Sequence, residues 1–198
     1  AFHDDRLDRV TDQKGRIADL DWAEVSHARV HGREPIPRFE ELLATWPGLR
    51  INIDPKDDSA LAPLIKALGR TGVLERVCAG CFSGRRLGQL RRALGPGLCT
   101  SMGPGEVARL RFTSWGLPMG AFTALAAQVP LRHYGLPVVD QRFIQSAHAR
   151  NLKVHVWTIN DRATMNRLLD LEVDGIMSDE TVLLKEVFME RGIWLGQG

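Results

Sequence analysis

Short strand-like runs alternate with helices along most of this chain, and that alternation limits its fold more than any other feature. Six runs read as strands: residues 49–54, 76–80, 97–101, 126–130, 153–158 and 175–178. Between them, apolar residues recur at helical spacing. Leu61, Leu64, Ile65 and Leu68 form one such face, with Ser59 as its cap and Gly69 as its terminator. Leu87, Leu90 and Leu94 form another between Ser83 and Gly95, and a short helix is expected near 106–110. Asp140 opens a helix bearing Phe143, Ile144 and Ala147, which Asn151 ends in the left-handed conformation. Asp161 opens one with Met165, Leu168 and Leu169, and Asp179 a last one with Leu183, Leu184, Val187 and Phe188. Upstream, Phe39, Leu42, Leu43 and Trp46 share a helical face, whereas 112–139 reads as a long loop around one strand. Strands separated by helices imply a parallel sheet covered on both faces. Six strands suit an open doubly wound sheet; a (β/α)8 barrel needs eight, and would lack its first two. Periodicity does not choose between these.

Length and charge bound the function class. At 198 residues the chain reads as a single domain spanning 1–198. A formal net charge of +2 implies no strong pull toward nucleic acid or an anionic membrane. No apolar run reaches the ~18 residues that span a bilayer, and none of these residues forms a signal peptide. Three cysteines, an odd and low number, argue against a disulfide scaffold, so the default location is cytoplasmic.

Four residues stand out chemically. Asp54 follows Ile51-Asn52-Ile53 at a strand's carboxyl end, the edge where α/β folds build sites, and Lys56 projects from the same side. A carboxylate there can hold a hard cation; the plainer alternative is a cap beside a solvated lysine. His3, followed by Asp4 and Asp5, has the makings of an acid–base group, though loop histidines beside aspartates are more often surface decoration. Trp157 ends Val154-His155-Val156-Trp157 and shares a strand face with His155, as pocket wall or core filler. Other groupings read as structural. His27 and His31 have i,i+4 spacing but lack the glutamate and third ligand of a metal site. Cys78 and Cys81 straddle a strand end and point apart. Arg85, Arg86, Arg91 and Arg92 read as a solvated helix face.

Several stretches, in order, resemble the glycerophosphodiester phosphodiesterase family. His3-Asp4-Asp5-Arg6-Leu7-Asp8-Arg9-Val10-Thr11 is similar to its H-D-x-x-L-x-R-x-T segment, and Pro35-Ile36-Pro37-Arg38-Phe39-Glu40-Glu41-Leu42 to its I-P-x-L-E-E-x-L run. Ile51-Asn52-Ile53-Asp54-Pro55-Lys56 resembles the I-E-x-K strand. Val154-His155-Val156-Trp157-Thr158-Ile159-Asn160 and Val173-Asp174-Gly175-Ile176-Met177-Ser178-Asp179 resemble V-W-T-V-N and V-D-G-I-x-T-D. The resemblance implies a TIM-type (β/α)8 barrel, of which these would be the last six β/α units. It implies hydrolysis of glycerophosphodiesters to glycerol 3-phosphate and an alcohol, with Mg²⁺ or Ca²⁺. His3 then matches the second catalytic histidine, Asp54 a metal ligand, Lys56 a phosphodiester-binding residue and Trp157 the aromatic wall of the substrate mouth.

The family's opening H-R-G motif, its E-N-T segment and its E-x-D metal-ligand pair have no counterpart in these residues. They belong to the two units that the strand count lacks, so the chain is expected to begin partway into the domain and to be inactive without them. Cys81 stands where serine is common, Asn151 for Gly, and Glu180-Thr181 for Arg-Pro. Two rival readings remain. One is a non-catalytic relative that binds a phosphodiester or a partner. The other is a lysophospholipase-D-like enzyme whose apolar residues Phe112, Trp115, Leu117 and Phe122 touch lipid. The oligomeric state and leaving alcohol are not legible.

Overall fold

A computed structural model describes residues 1–196 as two compact units, 1–81 with 85–99, and 82–84 with 100–196. In the first, a 3₁₀ turn at Ile17–Asp19 and helix α1 (Trp22–Val25) precede a small antiparallel hairpin, β1 (Arg29–Val30) and β2 (Glu34–Pro35). Helix α2 (Phe39–Thr45) leads to strand β3 (Ile51–Ile53), helix α3 (Leu61–Thr71), strand β4 (Val77–Ala79), helix α4 (Gly84–Leu94) and strand β5 (Cys99–Thr100). The sheet order is β3-β4-β5, and β3 and β4 run parallel with Ile51 beside Val77 and Ile53 beside Ala79. Val77 and Ala79 join Leu61, Leu64, Leu68, Leu90 and Leu98 in one apolar core. A second cluster, Leu7, Val25, Ala28 and Ile36, holds the N-terminal segment.

The second unit begins with α5 (Pro104–Ser114), then β6 (Ala126–Pro130), the hairpin β7 (Arg132–His133) and β8 (Leu136–Pro137), α6 (Gln141–His148), β9 (Lys153–Trp157), α7 (Arg162–Asp170), β10 (Gly175–Ile176) and α8 (Thr181–Glu190). Its sheet is parallel in the order β10-β9-β6. Ala127, Val129, Val154 and Val156 are buried and pack with Phe143, Ile144, Ala147, Met165, Leu168 and Val187 of the helices. Burying strands and helices against each other in this way leaves the strand ends, not the faces, for chemistry.

All six expected strands are present; the one at 126–130 has its expected bounds, the other five are shorter, and several helix boundaries differ. The first expected cap moves from Ser59 to Asp57, whose carboxylate accepts the Ser59 N–H at 2.9 Å and starts a 3₁₀ turn ahead of α3. Gly69 lies inside α3, and the residue that ends it is Gly72 at φ +61°. The helix expected at 106–110 runs from Pro104 to Ser114, because Pro104 supplies a preset first-turn φ. Asp179 does not cap the last helix; its carboxylate accepts from Asn160 instead, at 3.0 Å. Trp46 falls outside α2 and is 51% exposed, so it leaves the apolar face to Phe39 and Leu43. The loop expected over 112–139 holds the β7–β8 hairpin as well as β6. Asp140 and Asp161 cap as expected, accepting from Phe143 and Thr164, and Asn151 adopts φ +56°.

Two residues of the Val173–Asp179 run have structural reasons. Gly175 lies beside His155, and a Cβ there would sit 2.8 Å from the imidazole Cδ2, so no side chain fits without displacing the ring. Asp174 accepts from His148 Nε2, Lys153 Nζ and the Val154 N–H, each at 2.8 Å. Burial works to raise its pKa, but these donors outweigh burial and hold the carboxyl below its ordinary value. Such a group stabilises the fold above the unfolded carboxyl's pKa of about 3.9, and its contribution fades as pH falls through the lower folded value. Asp174→Asn is expected to cost about 1–3 kcal/mol in urea unfolding at pH 7, and the gap from wild type to shrink below pH ~4.

Candidate active site

The N-terminal segment builds a hydrogen-bonded relay around His3. Leu7 is anchored in the core, and the Thr11 N–H and hydroxyl both donate to its carbonyl, at 3.1 and 2.9 Å. That closed turn brings Arg9 back onto Asp4, donating from Nη2 to Oδ1 at 3.0 Å and from Nε to Oδ2. The His3 Nδ1 stands 2.8 Å from the same Asp4 carboxylate. Arg9 first, and His3 second, hold the Asp4 carboxyl far below the usual carboxylate range. An ionised Asp4 only accepts, so Nδ1 carries a proton, on a side chain that is 77% exposed. The spacing of His, Asp, Leu, Arg and Thr in this segment is thus a packing anchor, a turn closure and a carboxylate clamp.

Asp54 and Lys56 follow β3 at its carboxyl end, and the structure brings them together: Lys56 Nζ donates to Asp54 Oδ2 at 2.7 Å. Arg86 holds the loop that carries them. Its Nη1 donates to the carbonyls of Pro55 and Lys56, both at 2.9 Å, while its Nε donates to Asp58 at 2.7 Å. Arg85 also pairs with Asp58. This corrects the expectation of a solvated face at Arg86, whose side chain is 21% exposed. Sequence signal for it was absent, because a guanidinium that reads backbone carbonyls leaves no partner residue type to look for. Cys81 is buried at the same loop, with its thiol 3.5 Å from the Pro55 carbonyl.

Trp157 belongs to the second unit and ends β9, opposite Pro130 of β6. His155 and Trp157 are both half-buried and alternate with buried Val154 and Val156, as strand geometry requires. Phe82 meets the indole edge-on, with ring centroids 5.5 Å apart. Beyond it, Asn160 Oδ1 accepts from the Asp179 N–H and the Ser178 hydroxyl, tying the loops after β9 and β10. Burial pushes the His155 imidazole pKa down, and the Gln128 amide stands 3.3 Å from its Nδ1.

Cys78 contacts Cys99 on the neighbouring strand rather than Cys81, and hydrogen bonding from Cys78 lowers the Cys99 thiol to about 7. His27 Nδ1 lies 2.6 Å from the Ala23 carbonyl of its own turn. Phe112, Trp115 and Leu117 sit at the end of α5 and in the loop entering β6 at its amino end. Trp157 stands at the carboxyl end of that sheet, and Phe122 packs on the core. Among the described residues no three His, Cys, Asp or Glu side chains gather as a metal site. Likewise no helix is long and apolar enough to cross a membrane.

Residues 1–183 match the glycerophosphoryl diester phosphodiesterase family. A protein of Mycobacterium tuberculosis named "probable glycerophosphodiester phosphodiesterase 2" is 35% identical over 200 residues, covering 98% of this chain and 76% of its own. Among solved structures, a phosphodiesterase from Oleispira antarctica in complex with the product sn-glycerol-3-phosphate superimposes with a TM-score of 0.74 at 19% identity. That match covers 95% of this chain and 78% of the other. A glycerophosphoryl diester phosphodiesterase domain from Mycobacterium tuberculosis does so with a TM-score of 0.76 at 14% identity, covering 96% and 82%.

Two measurements check the geometry. Arg9→Met removes the main clamp on Asp4, so the Asp4 carboxyl is expected to titrate nearer the ordinary value of about 3.9 in a carbon-13 NMR titration. Arg86→Met frees the Pro55 and Lys56 carbonyls, with an expected loss of about 1–3 kcal/mol in urea unfolding.

Proposed function

Because this chain belongs to the glycerophosphoryl diester phosphodiesterase family, we propose that it hydrolyses glycerophosphodiesters to glycerol 3-phosphate and an alcohol, within lipid and glycerol metabolism. We take its α/β units to be parts of one (β/α)8-type barrel domain, supplying six β/α units of it. The observation that carries the mechanistic reading is the His3–Asp4–Arg9 relay. Breaking the phosphorus–oxygen bond leaves an alkoxide that needs a proton. In its imidazolium form His3 can deliver one from Nε2, while Asp4 keeps the Nδ1 proton in place and balances the ring's charge. Arg9 keeps Asp4 ionised, so the relay does not fail by protonation of its own carboxylate.

Lys56 is assigned to the phosphodiester. Its ammonium is a compact donor that gains more from a phosphoryl oxygen than from an exposed carboxylate. Trp157, stiffened by Phe82, is assigned to the wall of the substrate mouth. Asp54 is assigned as one hard oxygen ligand for Mg²⁺ or Ca²⁺, which would neutralise phosphoryl charge when bound. A single carboxylate already paired with an ammonium does not constitute such a site, which takes several oxygen donors. The described residues therefore do not fit the ion on their own. Cytoplasmic location remains part of the same proposal.

The test is leaving-group dependence. With an alkyl diester, His3→Ala is expected to lower kcat by about 10²–10⁴. With a nitrophenyl leaving group, which departs without a proton, the loss should be much smaller. Equal losses on both substrates would remove His3 from the acid role. Absence of hydrolysis by a domain that carries all eight β/α units, with Mg²⁺ or Ca²⁺ supplied, together with calorimetric binding of the diester without either ion, would favour the non-catalytic relative.

A further inference from the structure

The β7–β8 hairpin is an exposed element of the second unit that the hydrolytic reading does not use. It leaves β6 directly after Pro130, the residue in register with Trp157, so it rises from the sheet edge where the substrate mouth is assigned. Tyr134 and Gly135 form its two-residue turn at φ +47° and +79°, the geometry of a type I′ hairpin. An Asn, Asp or Gly is usual at the first of these positions, and a bulky ring there is uncommon. Tyr134 is the chain's only tyrosine, and it is 92% exposed. Leu136 beside it is 71% exposed. The tip does not fold inward: Arg132 Nη1 donates to the Gly135 carbonyl at 2.8 Å, and the His133 ring meets Tyr134 with centroids 4.4 Å apart.

Charge completes the pattern. Residues 107–139 contain no Asp or Glu, and the basic side chains Arg132 and His133 flank the tip. A net charge of +2 averages this asymmetry away. An outward tyrosine and leucine with basic neighbours, in a segment without Asp or Glu, match a lipid–water boundary. There an amphipathic ring sits at headgroup depth, leucine reaches the acyl region and cations meet anionic headgroups. We propose that the β7–β8 hairpin seats the protein on anionic lipid surfaces and thereby presents the mouth to lipid-borne glycerophosphodiesters of the lysophospholipid class. The seating stands by itself; only the substrate class rests on the hydrolytic reading.

Flotation with vesicles tests the seating without any catalytic readout. Wild-type protein is mixed with vesicles of phosphatidylcholine containing about a quarter phosphatidylglycerol, and with pure phosphatidylcholine. Association with the anionic vesicles is expected, weakening with salt and with Arg132→Gln. Tyr134→Asn removes the ring but suits the left-handed turn, so the hairpin is kept; combined with Leu136→Ser it should weaken association about tenfold or more. Absence of wild-type flotation, or unchanged flotation of the double variant, overturns the proposal. Where hydrolysis is measurable, the double variant is expected to lose turnover of micellar lysophosphatidylglycerol and retain that of a water-soluble diester. Equal loss on both overturns the substrate assignment alone.

Discussion

Parallel pairing of very short strands is the constraint on which the rest depends. Parallel neighbours cannot be joined by a tight turn, so every connection must cross back through a helix, and each sheet is then covered by those helices. In the first unit Gly80 N–H donates to the Ile53 carbonyl at 2.8 Å, fixing where β3 and β4 stop. In the second, Pro130 and Trp157 end β6 and β9 together. Side chains one residue beyond those stops are released from the ladder. Asp54 and Lys56 follow β3 immediately, the hairpin follows β6, and Asn160 follows β9. Asp54 and Lys56 are therefore placed by where the pairing ends, whereas His3 is held by the turn of its own loop.

Much of this was legible because buried strands and amphipathic helices leave strong periodic signals. Val154 and Val156 announce a strand buried on one face, and Phe143, Ile144 and Ala147 a helix packed upon it. The caps at Asp140 and Asp161 were readable because a carboxylate at that position satisfies an orphan amide. Other features lacked such a signal. Asp57 and Ser59 are both competent caps, and only the extra 3₁₀ turn decides between them. Gly69 looks like a terminator, yet a glycine inside a helix costs only about 1 kcal/mol, so tertiary packing carries α3 past it to Gly72. The turn of β7–β8 was hidden because its first residue is Tyr134, which no turn preference would select.

The candidate site divides in the same way. Residues whose type announces chemistry, His3, Asp54, Lys56 and Trp157, were singled out from position and resemblance. Residues that set their geometry were not. Arg86 acts through backbone carbonyls, which every residue carries. Arg9 acts at five residues' distance from Asp4, across a turn whose closure depends on Thr11 and the buried Leu7. These partners become visible only when the backbone path is known, because side-chain type alone does not say which carbonyl or carboxylate lies within reach.

The Asp54–Lys56 pair shows why weak contacts suit a binding edge. At 2.7 Å the geometry is good, but both side chains remain partly exposed, 26% and 44%, and such pairs contribute about 0–1 kcal/mol. Solvent already screens each charge, so separating them costs little. On the proposed reading, a phosphodiester oxygen offered to Lys56 would replace one anion with another. The same exchange would release Asp54 Oδ2, the oxygen that Lys56 holds. Arg86 makes the exchange local: with the Pro55 and Lys56 carbonyls held, side chains move and the backbone does not. A stronger, buried pair in this place would hold the fold more firmly and resist the substrate, since removing one partner would strand a buried charge at several kcal/mol.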